Sequence, residues 1–437
     1  MEKTSLITTM RLSGELGIPR LVARLRVCTG SEEGLETGVR SVLEQVRRRG
    51  DAAVVEAVRA HDWPCPGPSA LRVPAEILGQ ALADLSPELV VALRLASRSI
   101  RAFHQRQRPA RCAPSNKEGA RMGVEVFSLE SVGLYVPGGR AAYPSTLLML
   151  AIPAQIAGVR RIAVACPAGP GGLPNATVLA AVALLELEEV YAIGGAAAVG
   201  AFAFGTRSIP KVDKVLGPGN AWVAEAKRQV FGSVGIDAVA GPTELVVLSD
   251  GSSPAGFIAA DLLAQAEHDP QASPILLTTD ASEPARVRAE LTRRLAGAPR
   301  AAIQRESLRA HGALVICASR DLACAAARAL APEHLSIQAR RPGDWAKRVP
   351  SAAAVFLGPW TPEAAGDYGA GPNHSLPTGG TARFTSPVGV WDFVRHRSFL
   401  QLDRAALGRR SPWMRALAAA EGLEGHAASL RVREEAP

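Results

Sequence analysis

The stretch that decides the fold is GLYVPGG at residues 133–139, where a short apolar run leads into a glycine-rich turn. A strand that ends in glycines and continues into a helix is typical of a parallel sheet with helical connections. At the carboxyl end of such a strand, glycines allow backbone N–H groups to approach a phosphate. A plain tight turn explains this one stretch equally well, so the rest of the chain has to decide.

On both sides of this stretch the pattern has helical or strand periodicity. The predicted strands are residues 133–136, 162–165, 189–193, 214–216, 245–248, 275–279, 313–317 and 354–357. Their alternation with alanine-rich helical segments predicts parallel sheets with helical crossovers. These strands are too many for one sheet at this spacing. We therefore predict an α/β fold with two Rossmann-like, doubly wound domains and mainly parallel sheets, which meet near Gly241-Pro242.

The two ends of the chain are predicted to be helical. Apolar residues at helical spacing indicate helices over residues 34–60, with a break at Gly50-Asp51, and over residues 75–108. A final helix near residues 412–421 leads into the C-terminal tail. Because this tail is too small for a core of its own, we expect it to dock on another domain or another subunit.

Composition excludes several classes of function. The net charge of +8 is spread over short arginine groups without a long basic block, so nucleic-acid binding is not expected. The six cysteines are scattered without a Cys-x-x-Cys motif, which favours a reducing compartment and argues against a cysteine zinc site. With neither a signal-peptide core nor an apolar run long enough to span a bilayer, the sequence predicts a cytoplasmic protein without membrane partners.

Glycine-rich turns follow two further predicted strands, at residues 194–198 and 217–220. Together with residues 133–139, they would line one edge of one sheet. A cofactor cleft explains this arrangement better than three unrelated turns do.

Polar clusters mark possible chemistry. Glu333 and His334 set a carboxylate beside an imidazole after Pro332, and such a pair can handle protons near neutral pH. A solvated glutamate beside a partly buried histidine is the alternative. Gln265 and His268 lie three residues apart on one helix face and could offer oxygen and nitrogen to a metal. Taken alone, the pair is better explained as a polar helix end.

Further candidate ligands lie in the loop at residues 366–374 and in the tail at residues 421–426. Asp367 and His426 are of the residue types that bind zinc. No spacing ties them to Gln265 and His268, so only the fold could bring the four together.

The chain resembles the histidinol dehydrogenase family from about residue 30 to about residue 430. The motifs that carry the resemblance are YVPGG at 135–139, YPSTLLM at 143–149, VDKVLGPGN at 212–220, AGPTE at 240–244, AQAEHDP at 264–270, APEHL at 331–335, GDYGAGPNHSLPTGG at 366–380 and EGLEGH at 421–426. The resemblance implies oxidation of L-histidinol through L-histidinaldehyde to L-histidine, with reduction of two NAD, as the last step of histidine biosynthesis. It also implies a homodimer with one zinc ion (Zn2+) per subunit.

The resemblance assigns domains and residue roles. The expected parts are a helical N-terminal lead-in (1–30), a zinc and catalytic domain (31–133 with 243–387), an NAD-binding domain (134–242) and a tail that helps complete the partner's site (388–437). The implied zinc ligands are Gln265, His268, Asp367 and His426, the last from the other subunit. The implied catalytic pair is Glu333 and His334, and the implied NAD contacts are Tyr135 and Asn220. The implied substrate contacts are Thr243, Gln265, His268, His334, Asp367, Tyr368, His374, Glu421 and His426.

Two positions depart from the family pattern. Ala197 stands where the family usually has glutamine against the cofactor, and Thr243 stands where it usually has serine. Both leave room for a paralogous zinc-dependent dehydrogenase of another small polar alcohol. His374 and Glu421, which suit an imidazole-bearing amino alcohol, argue for histidinol. The full ligand set argues against a non-catalytic homologue.

Overall fold

The computed structural model describes residues 6–26, 34–109, 115–138 and 142–435. Its strands are β1 (Thr8–Leu12), β2 (Ser115–Lys117), β3 (Ala120–Ser128), β4 (Ser131–Tyr135), β5 (Arg161–Cys166), β6 (Glu189–Ala192), β7 (Lys214–Leu216), β8 (Gly235–Ile236), β9 (Glu244–Ser249), β10 (Ser273–Thr278), β11 (Ala313–Cys317), β12 (His334–Gln338), β13 (Ala354–Leu357) and β14 (Val394–Leu402). Its helices are α1 (Ile18–Leu25), α2 (Leu35–Arg49), α3 (Asp51–His61), α4 (Ala75–Gln80), α5 (Pro87–Gln105), α6 (Pro144–Ala157), α7 (Ala176–Leu184), α8 (Gly195–Phe204), α9 (Ala221–Val230), α10 (Ala255–Ala266), α11 (Glu283–Leu295), α12 (Ala301–Ala310), α13 (Arg320–Leu330), α14 (Pro342–Ala346), α15 (Ala364–Asp367), α16 (Arg404–Ala420) and α17 (Glu424–Glu434).

Two parallel sheets form the framework. One has six strands in the order β1-β11-β10-β9-β12-β13, and the other has five in the order β6-β5-β4-β7-β8. In each sheet the strand order runs outward in two directions from a central strand, as in doubly wound folds. The predicted α/β fold with two such sheets is confirmed.

Both faces of each sheet are covered. Along β9, Leu245 and Val247 enter one apolar cluster while Val246 and Leu248 enter another, because successive strand residues point to opposite faces. The five-stranded sheet also lies between two buried clusters. Such strands read as nearly continuous apolar runs, which explains why every predicted strand is present.

The break predicted at Gly50-Asp51 separates α2 from α3. Gly50 has φ of 55°, a left-handed conformation that favours glycine, and its N–H still bonds to Val46 at the end of α2. The second predicted helical stretch is likewise divided, since α5 begins after Ser86, whose hydroxyl accepts from the N–H of Leu89.

The N-terminal part differs from the expectation in two ways. The lead-in was expected to be helical, but Thr8–Leu12 forms β1, the edge strand of the six-stranded sheet, and the helix α1 follows it. This strand has only five residues, TTMRL, and three of them are polar. It was therefore not recognised from the sequence. Residues 31–133 were expected to form one domain with residues 243–387. Instead Val39 and Leu43 of α2 and Val54 of α3 pack in a cluster of the five-stranded sheet, which their apolar stripes cover.

A third sheet was not predicted. It is antiparallel, in the order β14-β3-β2, and β14 pairs with β3 along its whole length. The chain then enters α16, where the carboxylate of Asp403 accepts from the N–H of Ala406. This helix begins earlier than predicted and continues past Pro412, and α17 packs against it.

Within the described ranges, no helix combines the length and the apolar character that a membrane crossing requires.

Candidate active site

The Glu333-His334 pair lies where β12 begins. After α13, Ala331 adopts a left-handed φ of 50°, and the chain turns into β12 at His334. Because β12 lies directly beside β9 in parallel register, Glu333 comes next to Glu244 at the start of β9. Open α/β sheets usually bind ligands at the carboxyl ends of their strands. This site lies at the opposite edge of its sheet.

A short hydrogen-bond chain holds the Glu333 carboxyl. Its Oε2 accepts from the hydroxyl of Thr243 at 2.6 Å and from the N–H of Glu244 at 2.9 Å. The Thr243 hydroxyl in turn accepts from the side-chain amide of Gln265 at 2.7 Å. Hydrogen bonds therefore connect Glu333, Thr243 and Gln265, three residues predicted for the site. The Thr243 hydroxyl, which a serine would also provide, makes both side-chain bonds.

Burial dominates the protonation of Glu333. It raises the pKa of the Glu333 carboxyl to about 8, although the hydrogen bonds from Thr243 and Glu244 act in the opposite direction. A carboxyl with this pKa exchanges protons readily near neutral pH, as a general acid or base must.

The imidazole of His334 lies between two buried carboxyl groups. Its Nδ1 is 3.6 Å from Oε2 of Glu333, and its Nε2 is 3.6 Å from Oε1 of Glu363. Its ring lies against Phe356, with ring centroids 6.0 Å apart. His334 itself is only 5% exposed, so the ring is fixed in a largely enclosed site.

The carboxylate of Asp367 lies close to the rings of His268 and His374. Its Oδ2 is 3.7 Å from Nε2 of His268, and its Oδ1 is 3.4 Å from Nδ1 of His374. Burial opposes ionisation of Asp367, but the hydrogen bond and charge of His374 and the charges of His334 and His268 lower its pKa. His268 was expected on the helix face of Gln265, but α10 ends at Ala266 and His268 lies in the following turn.

Other atoms of the site have no protein partner. Oε1 of Gln265, Nδ1 of His334 and both carboxyl oxygens of Glu363 are buried without a hydrogen bond among the described residues. One ligand atom from each of His334, Glu363 and Asp367 lies within 4.8 Å of the others. Buried polar atoms normally have partners, so this concentration of unsatisfied atoms fits a bound metal or substrate.

Three residues near the site were not predicted. Glu244, Asp261 and Glu363 are buried carboxyl groups, and burial raises the pKa of each to about 7. Glu244 does fall inside the AGPTE motif, and Asp261 lies one helical turn before Gln265. Glu363 belongs to no motif, and only its placement in the fold could have identified it.

The carboxyl edge of the five-stranded sheet carries the glycine-rich turns. The Tyr135 hydroxyl accepts from the N–H of Gly195 at 3.2 Å, and the Asn220 side chain accepts from the N–H of Val223. Gly217 has φ of 126°, and a Cβ there would lie 2.1 Å from the carbonyl oxygen of Tyr135. At Gly217 the sheet edge is therefore formed by backbone atoms, and no side chain there blocks the approach of a ligand. Gly139 lies outside the described residues.

A buried ion pair fixes the Gly217 turn. Lys227 and Asp237 form a salt bridge, with their side chains 2% and 8% exposed. Lys227 also donates to the Gly217 carbonyl at 2.9 Å, and Asp237 accepts from the Gly217 N–H at 2.8 Å. The N–H and the carbonyl of Gly217 thus both have hydrogen-bond partners in this ion pair.

Three predicted site residues are not joined to the cluster within the part of the chain described here. Tyr368 is 77% exposed, and Glu421 and His426 are exposed at the end of α16 and in α17.

Ala197 is 3% exposed inside α8, so its methyl group offers the cofactor edge no polar atom.

Comparisons with known proteins agree over nearly the whole chain. A family model described as histidinol dehydrogenase matches residues 28–434. The histidinol dehydrogenase of Gluconobacter oxydans is 47% identical over 414 residues, covering 94% of this chain and 96% of that protein. That of Bordetella parapertussis is 46% identical, covering 93% and 92%. The crystal structure of histidinol dehydrogenase from Elizabethkingia anophelis superposes with a TM-score of 0.92 at 32% identity, covering 98% of both chains.

Proposed function

Since the chain belongs to the histidinol dehydrogenase family, we propose that it oxidises L-histidinol through L-histidinaldehyde to L-histidine, with two NAD and one zinc ion per subunit. The observation that carries the proposal is the buried Glu333-His334 pair, hydrogen-bonded through Thr243 to Gln265. Glu333 and His334 can transfer protons, and the nearby Oε1 of Gln265, which has no hydrogen-bond partner, can bind a metal.

Zinc fits the donor set. Gln265, His268 and Asp367, with His426 of a second subunit, would hold it. The unpaired, buried Oε1 of Gln265 and the approach of His268 to Asp367 support this assignment. When bound, zinc would orient the imidazole and amine nitrogens of the substrate.

The chain's own residues move the protons. His334 takes the hydroxyl proton in the first oxidation and the proton of the aldehyde hydrate in the second. Glu333 takes a proton from the water that adds to the aldehyde, which its raised pKa suits. Thr243 and the Glu244 N–H keep the Glu333 carboxyl in place between these steps.

The cofactor would lie at the carboxyl edge of the five-stranded sheet. NAD, when bound, accepts one hydride in each oxidation. Tyr135 and Asn220 are the proposed contacts, and the Gly217 turn leaves room that a side chain would fill. The Gln-to-Ala difference at Ala197 removes one or two hydrogen bonds of about 1 kcal/mol each, so NAD binding is weaker than in relatives that keep the amide.

We propose a cytoplasmic homodimer in which each subunit lends its tail to the other. His426 and Glu421 are exposed in their own chain. Trp413 and Leu417 of α16 are 53% and 57% exposed, and an apolar surface of this kind suits contact with a second subunit.

The test is turnover of purified protein with L-histidinol and NAD, followed by NADH absorbance. We expect two NADH per histidinol, loss of activity with a chelator and recovery with zinc. The Glu333→Gln and His334→Gln variants should fold and lose turnover. Full activity in both variants would refute the assigned chemistry.

Oxidation of another small polar alcohol is the second candidate, favoured by Ala197 and by the extra methyl of Thr243. A panel of amino and hydroxy alcohols, assayed in zinc-replete buffer, separates the two. Activity with a panel member and none with histidinol would select the second candidate.

A further inference from the structure

Glu363 is a buried carboxyl with no assigned role. It immediately precedes α15, its side chain is 1% exposed, and neither of its carboxyl oxygens has a hydrogen-bond partner among the described residues. A buried carboxyl without hydrogen bonds is costly. This side chain therefore needs a positively polarised group beside it in the working enzyme.

The group beside it is the ring of His334. Nε2 of His334 lies 3.6 Å from Oε1 of Glu363, and Nδ1 on the other side of the ring lies 3.6 Å from Oε2 of Glu333. Each ring nitrogen therefore faces a carboxyl group. Catalytic hydrogen bonds are often long before ligands bind and tighten afterwards, so 3.6 Å is compatible with a bond in the working complex.

The two carboxyl groups are not equivalent. Oε2 of Glu333 already accepts two hydrogen bonds, whereas both oxygens of Glu363 are free to accept. Glu363 is therefore the better acceptor for a ring N–H. In a neutral imidazole, the nitrogen that donates such a bond keeps the proton, and the other nitrogen keeps the lone pair.

We infer that Glu363 is a positioning residue that accepts the Nε2–H of His334 and thereby keeps the basic lone pair on Nδ1. Nδ1 is the nitrogen on the Glu333 side of the ring and has no other partner. The base for both oxidations and the residue that activates water would then face the same substrate carbon. This inference rests on the proposed role of His334 as the base.

A different role for Glu363 is testable. Because ligand atoms of His334, Glu363 and Asp367 lie within 4.8 Å of one another, Glu363 would lose its positioning role if it were a metal ligand. Zinc content distinguishes the two roles, since removal of a positioning residue leaves the metal bound.

The first measurement is the ring tautomer of His334, by NMR of the zinc-loaded enzyme labelled with ring-15N histidine. The His334→Gln variant assigns the signal. We expect the Nε2–H tautomer in the wild type and in Glu363→Gln, whose amide oxygen still accepts, and a mixed or reversed tautomer in Glu363→Ala. An unchanged tautomer in Glu363→Ala would overturn the inference. This readout does not depend on activity with histidinol.

The second measurement is steady-state kinetics. Glu363→Ala should lower kcat about 10- to 100-fold, as removal of residues that orient a functional histidine does. Both oxidation steps should slow together, with KM for histidinol and zinc content unchanged, and Glu363→Gln should lose less. Glu283→Gln removes another buried carboxyl, which bonds to Ser249, and should keep the wild-type kcat.

Two results would contradict the inference in the kinetic experiment. An unchanged kcat in Glu363→Ala would show that His334 needs no such partner, while inactivity of His334→Gln would still support the proposed function. Loss of zinc in Glu363→Ala would make Glu363 a metal ligand instead. Inactivity of the wild type with histidinol would refute the proposed function and leave the tautomer measurement to decide on Glu363.

Discussion

Thr243 donates its hydroxyl hydrogen to Oε2 of Glu333 across 2.6 Å, and this contact joins the start of β9 to the start of β12. The Thr243 hydroxyl oxygen in turn accepts from the side-chain amide of Gln265. Thr243→Val removes both bonds and leaves a buried carboxyl and a buried amide short of a partner, at about 1–3 kcal/mol each. We expect kcat/KM to fall at least about 10-fold. Thr243→Ser keeps the hydroxyl and should retain most activity. Equal losses in the two variants would show that the methyl group matters instead.

The pH dependence of the second oxidation should follow Glu333. Its pKa is raised to about 8 by burial, so the carboxylate that activates water forms as the pH rises through this value. With histidinaldehyde as substrate, we expect the rate to rise between about pH 7 and pH 9. Glu333→Gln should abolish this limb of the profile. A limb that persists in the variant would belong to another group.

Asp261 should make stability depend on pH. Burial raises its pKa from 3.8 to about 7, so the folded metal-free protein binds this proton more tightly than the unfolded chain does. The contribution to stability is full below about pH 4 and is lost as the pH rises through about 7. Asp261→Asn should therefore stabilise the protein by roughly 2–4 kcal/mol at pH 8.5 relative to its effect at pH 4.

Thermal unfolding of the metal-free Asp261→Asn protein at these two pH values checks this prediction. Asp84→Asn changes an exposed carboxyl group and is the control, which should show the same small effect at both pH values. An equal effect of Asp261→Asn at the two pH values would mean that Asp261 has a partner that stabilises its charge.

Subunit mixing tests the shared site. In a dimer of His334→Gln with His426→Ala, one site combines both changes and the other combines neither. Random exchange between two inactive homodimers should therefore restore about one quarter of the wild-type activity. Recovery measured after mixing and reassembly supports the exchange of tails. No recovery, with mixed dimers shown by mass, would place His426 in the site of its own chain.

Lys227 should affect the cofactor more than the substrate. Lys227→Met leaves Asp237 buried and uncompensated, at about 3–5 kcal/mol, and frees the Gly217 carbonyl. We expect a lower unfolding temperature and a higher KM for NAD, with a smaller change in KM for histidinol. Lys347→Met removes an exposed lysine and should change none of these. A raised KM for histidinol alone would separate Lys227 from the cofactor edge.

The sequence predicted the strands with a nearly continuous apolar composition and missed those with a mixed composition. β12 is fully buried but begins with His334 and contains Ser336 and Gln338, so its composition reads as polar. β3 and β14 are mostly half-buried or exposed and pair only with each other and with β2. β3 has apolar residues at alternate positions, but Met122 and Val124 are 41% and 40% exposed, so they do not form a buried face.

The site was predictable only where motifs carried it. Glu333, His334 and Gln265 lie in recognisable motifs, and the structure brings them together. Glu363 is brought to His334 by the return of the chain after β13, a tertiary event that no local pattern records. His426 is exposed on α17, and only the proposed second subunit would bring it to a zinc site.

The edge position of β1 bears on how the protein is synthesised. β1 leaves the ribosome long before its pairing partner β11, at Ala313–Cys317. At 5–20 residues per second, the intervening chain takes roughly 15–60 seconds to synthesise. During that time the five-stranded sheet can form, because its last strand ends at Ile236. The backbone N–H and C=O groups of β1 remain unpaired with β11 until residues 313–317 have been synthesised. A nascent chain held short of residue 313 should therefore contain one finished sheet and an unpaired strand that chaperones can bind.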